Sequence, residues 1–298
     1  MYKRQEHGKI GTDPGMDVGD EVWYYSDNSA DYSNKTTFWI AKGMQNSNEP
    51  LVDYWNGTQW GKAMFVGIRD CNVFIENIEK VPDLSAYDKE TWKAEAKVLK
   101  AFYHFWMMRM YGPIPIIKEN IPVSAGEDEV RVVRDKIDDI VTYIVSLIDE
   151  SVEYLPLNIQ NEAAEMGRIT RPAAKAIKAK ILAFAASPFF NGNLDYANFK
   201  NAEGEPFFNQ VYDNEKWTKA ADACLEAIQC AEEAGHGLYE FVNMSSTQLS
   251  DETILSLSNR CKVTERWNKE LVWGCGQSGI RDLQVLCCLL YTSPSPRD

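Results

Sequence analysis

The chain has 298 residues, of which 45% are hydrophobic, so it holds enough apolar material for one large domain or two small ones. Its formal net charge of -13 argues against a nucleic-acid partner, because an acidic surface repels the phosphate backbone. Charged residues interrupt every apolar run within a few turns, so the sequence predicts no membrane-spanning helix.

Residues 6–59 are rich in Gly, Asn, Asp, Ser, Tyr and Trp and show little sustained hydrophobic periodicity. This composition predicts long loops with local turns rather than a packed element. Long irregular segments on a rigid scaffold are where binding residues tend to lie. The search for ligand-binding residues therefore starts in this part of the chain.

From about residue 60 the apolar residues recur every three or four positions, which is typical of helices packed along one face. The first such stripe starts near Trp60 and predicts a helix that ends before Pro82. A second predicted helix takes Asp88 as its N-cap and places Trp92 and Trp106 on one apolar face. We expect these two helices to form an antiparallel pair.

Three more helices are predicted. The third runs from about Asp128 and stops before Pro156, and the fourth starts at Thr170, whose hydroxyl caps the helix ahead of Pro172. Small residues on the fourth helix allow a neighbouring helix to approach closely. The fifth helix covers residues 214–234. Its predicted inward face consists of Trp217, Ala220, Ala221, Cys224, Leu225, Ile228 and Ala231.

Paired helices with alanine at close-contact positions predict an all-α fold, a tetratricopeptide-like scaffold of helical pairs with long irregular loop insertions. The seven cysteines show no paired CxxC spacing and lie mostly in apolar helical surroundings. This pattern favours free thiols buried in the core.

Four segments carry motifs in a recognisable order. The first joins RDCNVFIENIEKVP to KAEAKVLKAFYHFWMMRMYGPIPII, and the others are GRITRPAAKA, WTKAA and ELVW. Together they resemble the SusD/RagB family of outer-membrane nutrient-binding lipoproteins. Lys100 and Pro113 depart from the family pattern, which usually has Arg and a second Gly at these positions. The matching residues of the first segment are Arg69, Asn72, Glu95, Ala96, Leu99, Ala101, Tyr103, Tyr111, Gly112 and Pro115.

The resemblance implies a protein without catalytic activity at the surface of the cell outer membrane. It would capture oligosaccharides or other nutrients for a partner, a SusC-like TonB-dependent transporter. The resemblance implies no cofactor, and contact with the membrane only through an N-terminal lipid anchor that lies outside this sequence. The function would be binding and delivery of cargo.

We expect a single SusD-like domain over residues 6–285, truncated at its C-terminal end. Residues 1–5 and 286–298 resemble translated sequencing-adapter read-through, and we expect them to be non-native tails. The parts of the domain would be a loop-rich segment over 6–59, a helical-pair scaffold over 60–234, and a loop-like and strand-like segment over 235–285.

Sugar rings present an apolar C–H face that stacks on Trp or Tyr, while Asp, Asn and Arg hydrogen-bond the sugar hydroxyl groups. Residues of both kinds lie close together in the loop-rich segment. Each ring could instead be buried in the core beneath a loop. No ligand-binding residue of the family can be assigned here by matching motifs, because the family's glycan contacts lie in variable loops. The predicted ligand-binding residues are Trp23, Tyr24, Tyr25, Trp39, Trp55, Asp20, Asp27 and Asn28.

No catalytic residue and no metal ligand is predicted. The three histidines, His7, His104 and His236, have no metal-ligand spacing among themselves or with the cysteines. A glycosidase needs two carboxylates across the scissile bond, and no stretch among the 44 acidic residues singles out such a pair. Two alternatives stay open: a tetratricopeptide-type adaptor that binds peptides in a helical groove, and a glycan hydrolase.

Overall fold

The structure is a computed structural model that describes residues 36–58, 63–244, 246 and 248–274. These residues divide into two compact units, one ending at Arg69 and the other running from Asp70 to Gly274. Regular secondary structure in the described ranges is helical, which confirms the predicted all-α fold class. None of the described helices is both long and apolar enough to cross a lipid bilayer.

The first unit contains α1, Thr36–Ala41, and the start of α2, Met64–Asn77. In the second unit, the end of α2 leads through a 3-10 turn, Ile78–Lys80, into the main scaffold. The helices that follow are α3 (Ala86–Tyr111), α4 (Glu127–Val130), α5 (Ile137–Val152), α6 (Glu162–Glu165), α7 (Arg171–Ala186), α8 (Glu215–Glu233) and α9 (Asp251–Thr264).

The first pair of the scaffold is α3 and α5, which run antiparallel. Lys97 Nζ lies 2.7 Å from Glu150 Oε2, whereas further along α3 the His104 ring meets the Tyr143 ring edge-on at 5.6 Å. Rising residue numbers on α3 thus match falling numbers on α5. The apolar residues of α5 that recur every three or four positions are buried: Ile137, Ile140, Val141, Ile144, Leu147 and Ile148.

Helix α7 packs antiparallel against α5. Arg171, at the start of α7, donates from Nε to the carbonyl of Val152 at the end of α5 (3.2 Å). One to two turns later, Lys178 Nζ lies 2.6 Å from Asp149 Oδ1. The Thr170 side chain caps α7 as the sequence predicted. Together with α8, the helices α3, α5 and α7 form the repeated helical pairs expected of a tetratricopeptide-like scaffold.

The contact between α7 and α8 is the most extensive between helices of the described scaffold. Its buried centre is made of Ala179, Ala223 and Ala227. Side chains this small let the two helix axes approach closely, as the alanine pattern predicted. Asn214 and Ala234 flank α8 as its N-cap and C-cap, so the predicted bounds of the fifth helix are confirmed.

The start of α3 differs from the prediction. Ser85 is the N-cap, because its hydroxyl oxygen accepts the Asp88 N–H at 3.0 Å and its hydroxyl donates to the Asp88 carboxylate at 2.6 Å. The prediction of Asp88 as N-cap is therefore wrong. Asp88 instead lies in the first turn, where a negative charge interacts favourably with the helix dipole. Both residues thus stabilise the same helix end.

The middle of α3 is buried on every side. Each residue from Val98 to Met108 is buried, including Trp106, as predicted. A helix covered all round is normally apolar throughout. This stretch nevertheless contains Lys100 and His104, whose polar groups need partners in the interior.

Lys100 and His104 bond to the backbone of the segment that follows α3. Lys100 Nζ donates to the Lys118 carbonyl at 2.5 Å, and the Ile117 N–H donates to His104 Nε2 at 3.2 Å. Because Nε2 accepts, His104 Nδ1 carries the proton and donates to the Lys100 carbonyl at 2.8 Å. Burial lowers the pKa of His104 to about 4 and the pKa of Lys100 to about 8.

Several side chains predicted to face the core are exposed. Trp92 is 37% exposed and lies 5.5 Å below the guanidinium carbon of Arg168, and Trp217 on α8 is 42% exposed. The predicted inward face of α8 is therefore wrong. The helix is buried on the side that meets α7, through Ala220, Ala223, Ala227 and Cys230, and only Ala220 of these was predicted. Trp60 lies outside the described residues. The residues of that face that are exposed are Trp217, Ala221, Cys224, Leu225 and Ile228.

Two further segments differ from the expectation. The third helix, predicted from about Asp128, is interrupted: α4 is a single turn, and α5 starts at Ile137. Residues 235–285 were expected to be loop-like and strand-like, yet they include α9. Residues 270–273, expected as a strand, follow an irregular path. A lone strand leaves its ladder hydrogen bonds unmade, and the described residues place no second strand beside this one.

Acid should destabilise the protein through His104. Its pKa is about 4 in the folded chain and about 6.5 in an unfolded chain, so the unfolded state binds more protons between these values. The stabilisation is complete above about pH 6.5 and is lost as the pH falls towards 4, on the order of 3 kcal/mol in total. Urea unfolding of wild type and His104→Gln across this range measures it. The variant should show the flatter pH dependence, and equal slopes would contradict the assignment.

Candidate functional site

Six of the eight predicted ligand-binding residues lie outside the described residues: Trp23, Tyr24, Tyr25, Asp20, Asp27 and Asn28. Trp39 and Trp55 belong to the first unit. Trp39 lies on α1 and is half-buried, and the ammonium group of Lys42 lies 4.9 Å from its ring centre. A cation over an aromatic face is itself a favourable contact, so a sugar would compete with Lys42 for that face.

Trp55 lies in a tight turn organised by Asp53. The buried Asp53 carboxylate accepts the N–H groups of Trp55 and Asn56, both at 2.9 Å, and the Thr58 hydroxyl at 2.7 Å. Burial acts to raise the pKa of Asp53, but these hydrogen bonds outweigh it and hold the pKa below its usual value. The Trp55 ring meets Phe65 edge-on at 4.9 Å, so it is fixed while half-exposed.

The second unit contains a cavity of about 550 Å³. Three stretches of chain line it: residues 158–170 between α5 and α7, residues 234–236 after α8, and residues 267–274 after α9. Its volume falls in the range of small-molecule binding sites, roughly 300–1,000 Å³. We take this cavity as the candidate functional site.

Trp273 connects two of the three stretches. Its indole N–H donates to the Gly167 carbonyl at 3.1 Å, and its ring meets Phe102 of α3 edge-on at 5.7 Å. Both ends of the indole are therefore held, one by a polar contact and the other by the core. Trp273 is half-buried and contributes an aromatic surface to the cavity wall.

Arg168 contributes a charge that is already neutralised. Its Nε and Nη2 lie 2.9 and 2.8 Å from Glu95 Oε1, and its Nη1 lies 2.5 Å from Glu165 Oε1. Burial alone would lower the pKa of Arg168, but the two carboxylates outweigh it and raise the pKa. Because two carboxylates surround one guanidinium, Arg168 offers no excess positive charge to an anionic ligand.

Another part of the cavity wall is a turn with strained backbone geometry at Trp267, whose φ is +57°. Asn268 supports this turn by donating from Nδ2 to the carbonyls of Lys262 (2.8 Å) and Glu265 (3.0 Å). His236 Nδ1 lies 3.1 Å from the Lys269 carbonyl and joins this wall to the end of α8. Left-handed backbone at a residue other than glycine is uncommon and often occurs at ligand sites.

The cavity therefore combines two half-buried indoles with side-chain amides. Trp273 and Trp267 supply aromatic surface, with the Arg266 guanidinium carbon 5.8 Å from the centre of the Trp267 ring. Asn158 and Gln160 supply carboxamide groups. The Asn158 amide, oriented so that its nitrogen donates, reaches the Ala234 carbonyl at 3.0 Å. This arrangement suits a neutral, polar ligand with an apolar face. Within the described ranges, no group of three or more His, Cys, Asp or Glu side chains is arranged to hold a metal ion.

None of the residues that line this cavity was predicted to bind a ligand. Two of its lining segments, Gly167–Arg168 and Leu271–Trp273, belong to motif segments to which no ligand role was assigned. They are about a hundred positions apart in the chain, and only the fold brings Trp273 against Gly167. One feature of the sequence could have indicated these residues: both motif segments contain polar or aromatic side chains that belong to no predicted helical stripe.

Replacing Trp273 by Phe should loosen the cavity wall. Phe keeps an aromatic ring against Phe102 but removes the N–H that bonds to Gly167, which should lower the free energy of unfolding by about 1–2 kcal/mol. Urea unfolding followed by circular dichroism measures the change. Trp217→Phe on the exposed side of α8 is the matched control and should be nearly neutral. Equal stabilities for both variants would show that the Trp273 hydrogen bond is unimportant.

Comparison with known proteins identifies the family. A SusD-like family model described as "Starch-binding associating with outer membrane" matches residues 11–182. A SusD-like protein of Bacteroides ovatus is 31% identical over 99 residues, which are 33% of this chain and 16% of that protein.

Solved structures share the fold. The protein BT4246 is 31% identical, with a TM-score of 0.61 over 72% of this chain and 40% of its own. The SusD-like protein BF3747 of Bacteroides fragilis is 17% identical, with a TM-score of 0.52 over 78% of this chain and 35% of its own. The chain thus spans less than half the length of these relatives. Since the family model covers more than half of the chain, the protein belongs to the SusD-like family.

Proposed function

We propose that the protein binds oligosaccharides at the cell surface and delivers them to a partner TonB-dependent outer-membrane transporter, without catalysis. The observation that carries the proposal is the cavity of about 550 Å³ with Trp267 and Trp273 in its walls. Family membership supports a carbohydrate ligand, because the family is described as starch-binding and associated with the outer membrane.

The composition of the cavity favours a sugar over other small ligands. An indole face packs against the C–H face of a pyranose, while the amides of Asn158 and Gln160 can exchange hydrogen bonds with hydroxyl groups. The charge of Arg168 is compensated by Glu95 and Glu165, so an anionic ligand gains little there. The net charge of -13 adds a further penalty for anions.

The proposed affinity is modest. Each stacking contact contributes about 1 kcal/mol beyond area burial, and ordering the ligand opposes binding. A capture protein that hands its cargo to a transporter has to release it again, so weak binding suits the proposed delivery step. An N-terminal lipid anchor would hold the protein at the outer membrane beside the transporter.

The loop-rich N-terminal segment is proposed as a further source of ligand contacts. Trp55 is fixed and half-exposed in its turn, and the half-buried Trp39 ring already contacts the ammonium group of Lys42. We propose that these two residues act together with Trp23, Tyr24 and Tyr25 and the polar residues Asp20, Asp27 and Asn28.

Trp267→Ala should reduce oligosaccharide affinity about tenfold, because it removes one aromatic surface from the cavity. A glycan array selects the best ligand, and isothermal titration calorimetry then compares wild type, Trp267→Ala and the control Trp217→Ala. The control should bind like wild type.

Two results would contradict the proposal. One is an unchanged affinity of Trp267→Ala for a glycan that wild type binds, which would show that the cavity is not the glycan-binding site. The other is a shortened glycan recovered after long incubation with wild-type protein, which would indicate a hydrolase.

A further inference from the structure

An irregular segment between α7 and α8, residues 187–213, carries an unusual set of aromatic rings. The inner rings, Phe190 and Phe208, are 1% and 3% exposed and stack with centroids 5.9 Å apart and planes 13° from parallel. The outer rings, Phe189 and Tyr196, are 47% and 41% exposed. We call these four residues the aromatic cluster.

The inner rings fix the outer rings in place. Tyr196 stacks on Phe208 with centroids 4.9 Å apart and planes 23° from parallel, so one face of the tyrosine ring is covered. Phe189 meets Phe190 edge-on at 4.8 Å and Phe208 edge-on at 5.7 Å. Rings held in this way lose little rotamer freedom when a ligand binds, which lowers the entropic cost of binding.

The aromatic cluster is continuous with the core around α3. Phe190 packs on Phe184 of α7 at 5.2 Å, and Phe184 meets Phe105 of α3 edge-on at 5.6 Å. At the end of α3, Gly112 has a φ of +68°, and a Cβ at this position would lie 3.2 Å from the Phe208 ring. Glycine at position 112 thus serves both the chain reversal and the close approach of Phe208.

Backbone and amide bonds close the base of the segment. Asn191 donates from Nδ2 to the Asp213 carbonyl and accepts the Asp213 N–H at Oδ1, both at 2.8 Å. The Gly192 N–H donates to the Asn209 carbonyl at 3.1 Å. Gly192 has a φ of +79°, and a Cβ there would lie 2.8 Å from the Tyr212 nitrogen. The segment is therefore a closed loop that presents its rings rigidly.

Short polar side chains flank the exposed rings. Asn193 donates from Nδ2 to the Phe189 carbonyl at 3.0 Å and accepts the Asp195 N–H at 2.9 Å. Gln210 donates from Nε2 to the Asn193 carbonyl at 3.1 Å. Asp195, which precedes Tyr196 in the chain, is exposed, and a carboxylate can accept hydrogen bonds from a ligand's hydroxyl groups.

We propose that the aromatic cluster is a second carbohydrate-binding surface, on which a pyranose of a neutral glycan stacks against Tyr196 and Phe189 while Asp195 accepts from its hydroxyls. The two partly exposed rings offer on the order of 200 Å² of aromatic surface. A specific protein partner buries about 800 Å² on each side, so these rings match a sugar better than a protein interface.

This surface extends the proposed function and is distinct from the cavity, since none of the four residues of the aromatic cluster lines the cavity. Two sites on one protein raise the effective concentration of a long glycan at the second site once the first is occupied. The expected consequence is tighter binding of polysaccharides than of short oligosaccharides.

Affinity electrophoresis in native gels containing soluble starch, laminarin or xyloglucan tests the surface directly. Tyr196→Ala should weaken retardation about fivefold in the gel that retards wild type, because one stacking contact is lost. Tyr196→Phe keeps the ring and should be retarded like wild type. The control Tyr87→Ala removes another exposed tyrosine, 67% exposed at the start of α3, and should have no effect. Circular dichroism of each variant confirms folding.

Inclusion of Trp267→Ala separates this inference from the proposed cavity. Weaker retardation of Tyr196→Ala supports the second surface whatever Trp267→Ala does. Normal retardation of Tyr196→Ala together with weaker retardation of Trp267→Ala overturns the second surface and leaves the cavity. Absence of retardation of wild type in all three gels overturns both. Sedimentation could instead show a wild-type dimer that the Tyr196→Ala substitution dissociates. Together with unchanged retardation, that result would overturn the second surface and assign the rings to self-association.

Discussion

The complete burial of the middle of α3 is the constraint on which the second unit depends. Every residue from Val98 to Met108 is covered, so neighbouring helices and connecting segments must surround this helix. Three buried polar side chains of α3 bond to the segments around it: Glu95 to Arg168, Lys100 to the Lys118 carbonyl, and His104 to the Ile117 N–H. A buried polar group without a partner costs about 1–3 kcal/mol, so these contacts determine where the connecting segments lie.

Both proposed binding surfaces are built outward from this helix. Phe102 supports the Trp273 ring in the cavity wall, and Glu95 fixes Arg168 beside it. At the other end of α3, Gly112 leaves room for Phe208 beneath the exposed rings of the aromatic cluster. A single rigid element thus positions aromatic side chains on segments that are far apart in the sequence. Ligand-binding loops on a rigid scaffold are a common arrangement in proteins.

Periodicity predicted the helices well, because the spacing of apolar residues records which elements pack. Asn214 and Ala234 bound α8 as expected, while Trp217 is exposed, since periodicity alone does not show which side of a helix a neighbour covers. The cavity was missed because Trp267 and Trp273 meet residues from distant segments, and no local pattern encodes that meeting. The N-terminal candidate residues, apart from Trp39 and Trp55, lie outside the described structure and stay predictions.

Native-state hydrogen exchange tests the central role of α3 most directly. If the buried helix supports the whole second unit, the amides of residues 98–108 should exchange only through global unfolding. Their exchange free energy should then equal the unfolding free energy measured in urea, and should exceed that of α8, which is covered mainly by α7. Exchange of residues 98–108 at a lower free energy than the amides of α8 would show that α3 opens locally, and would contradict this account.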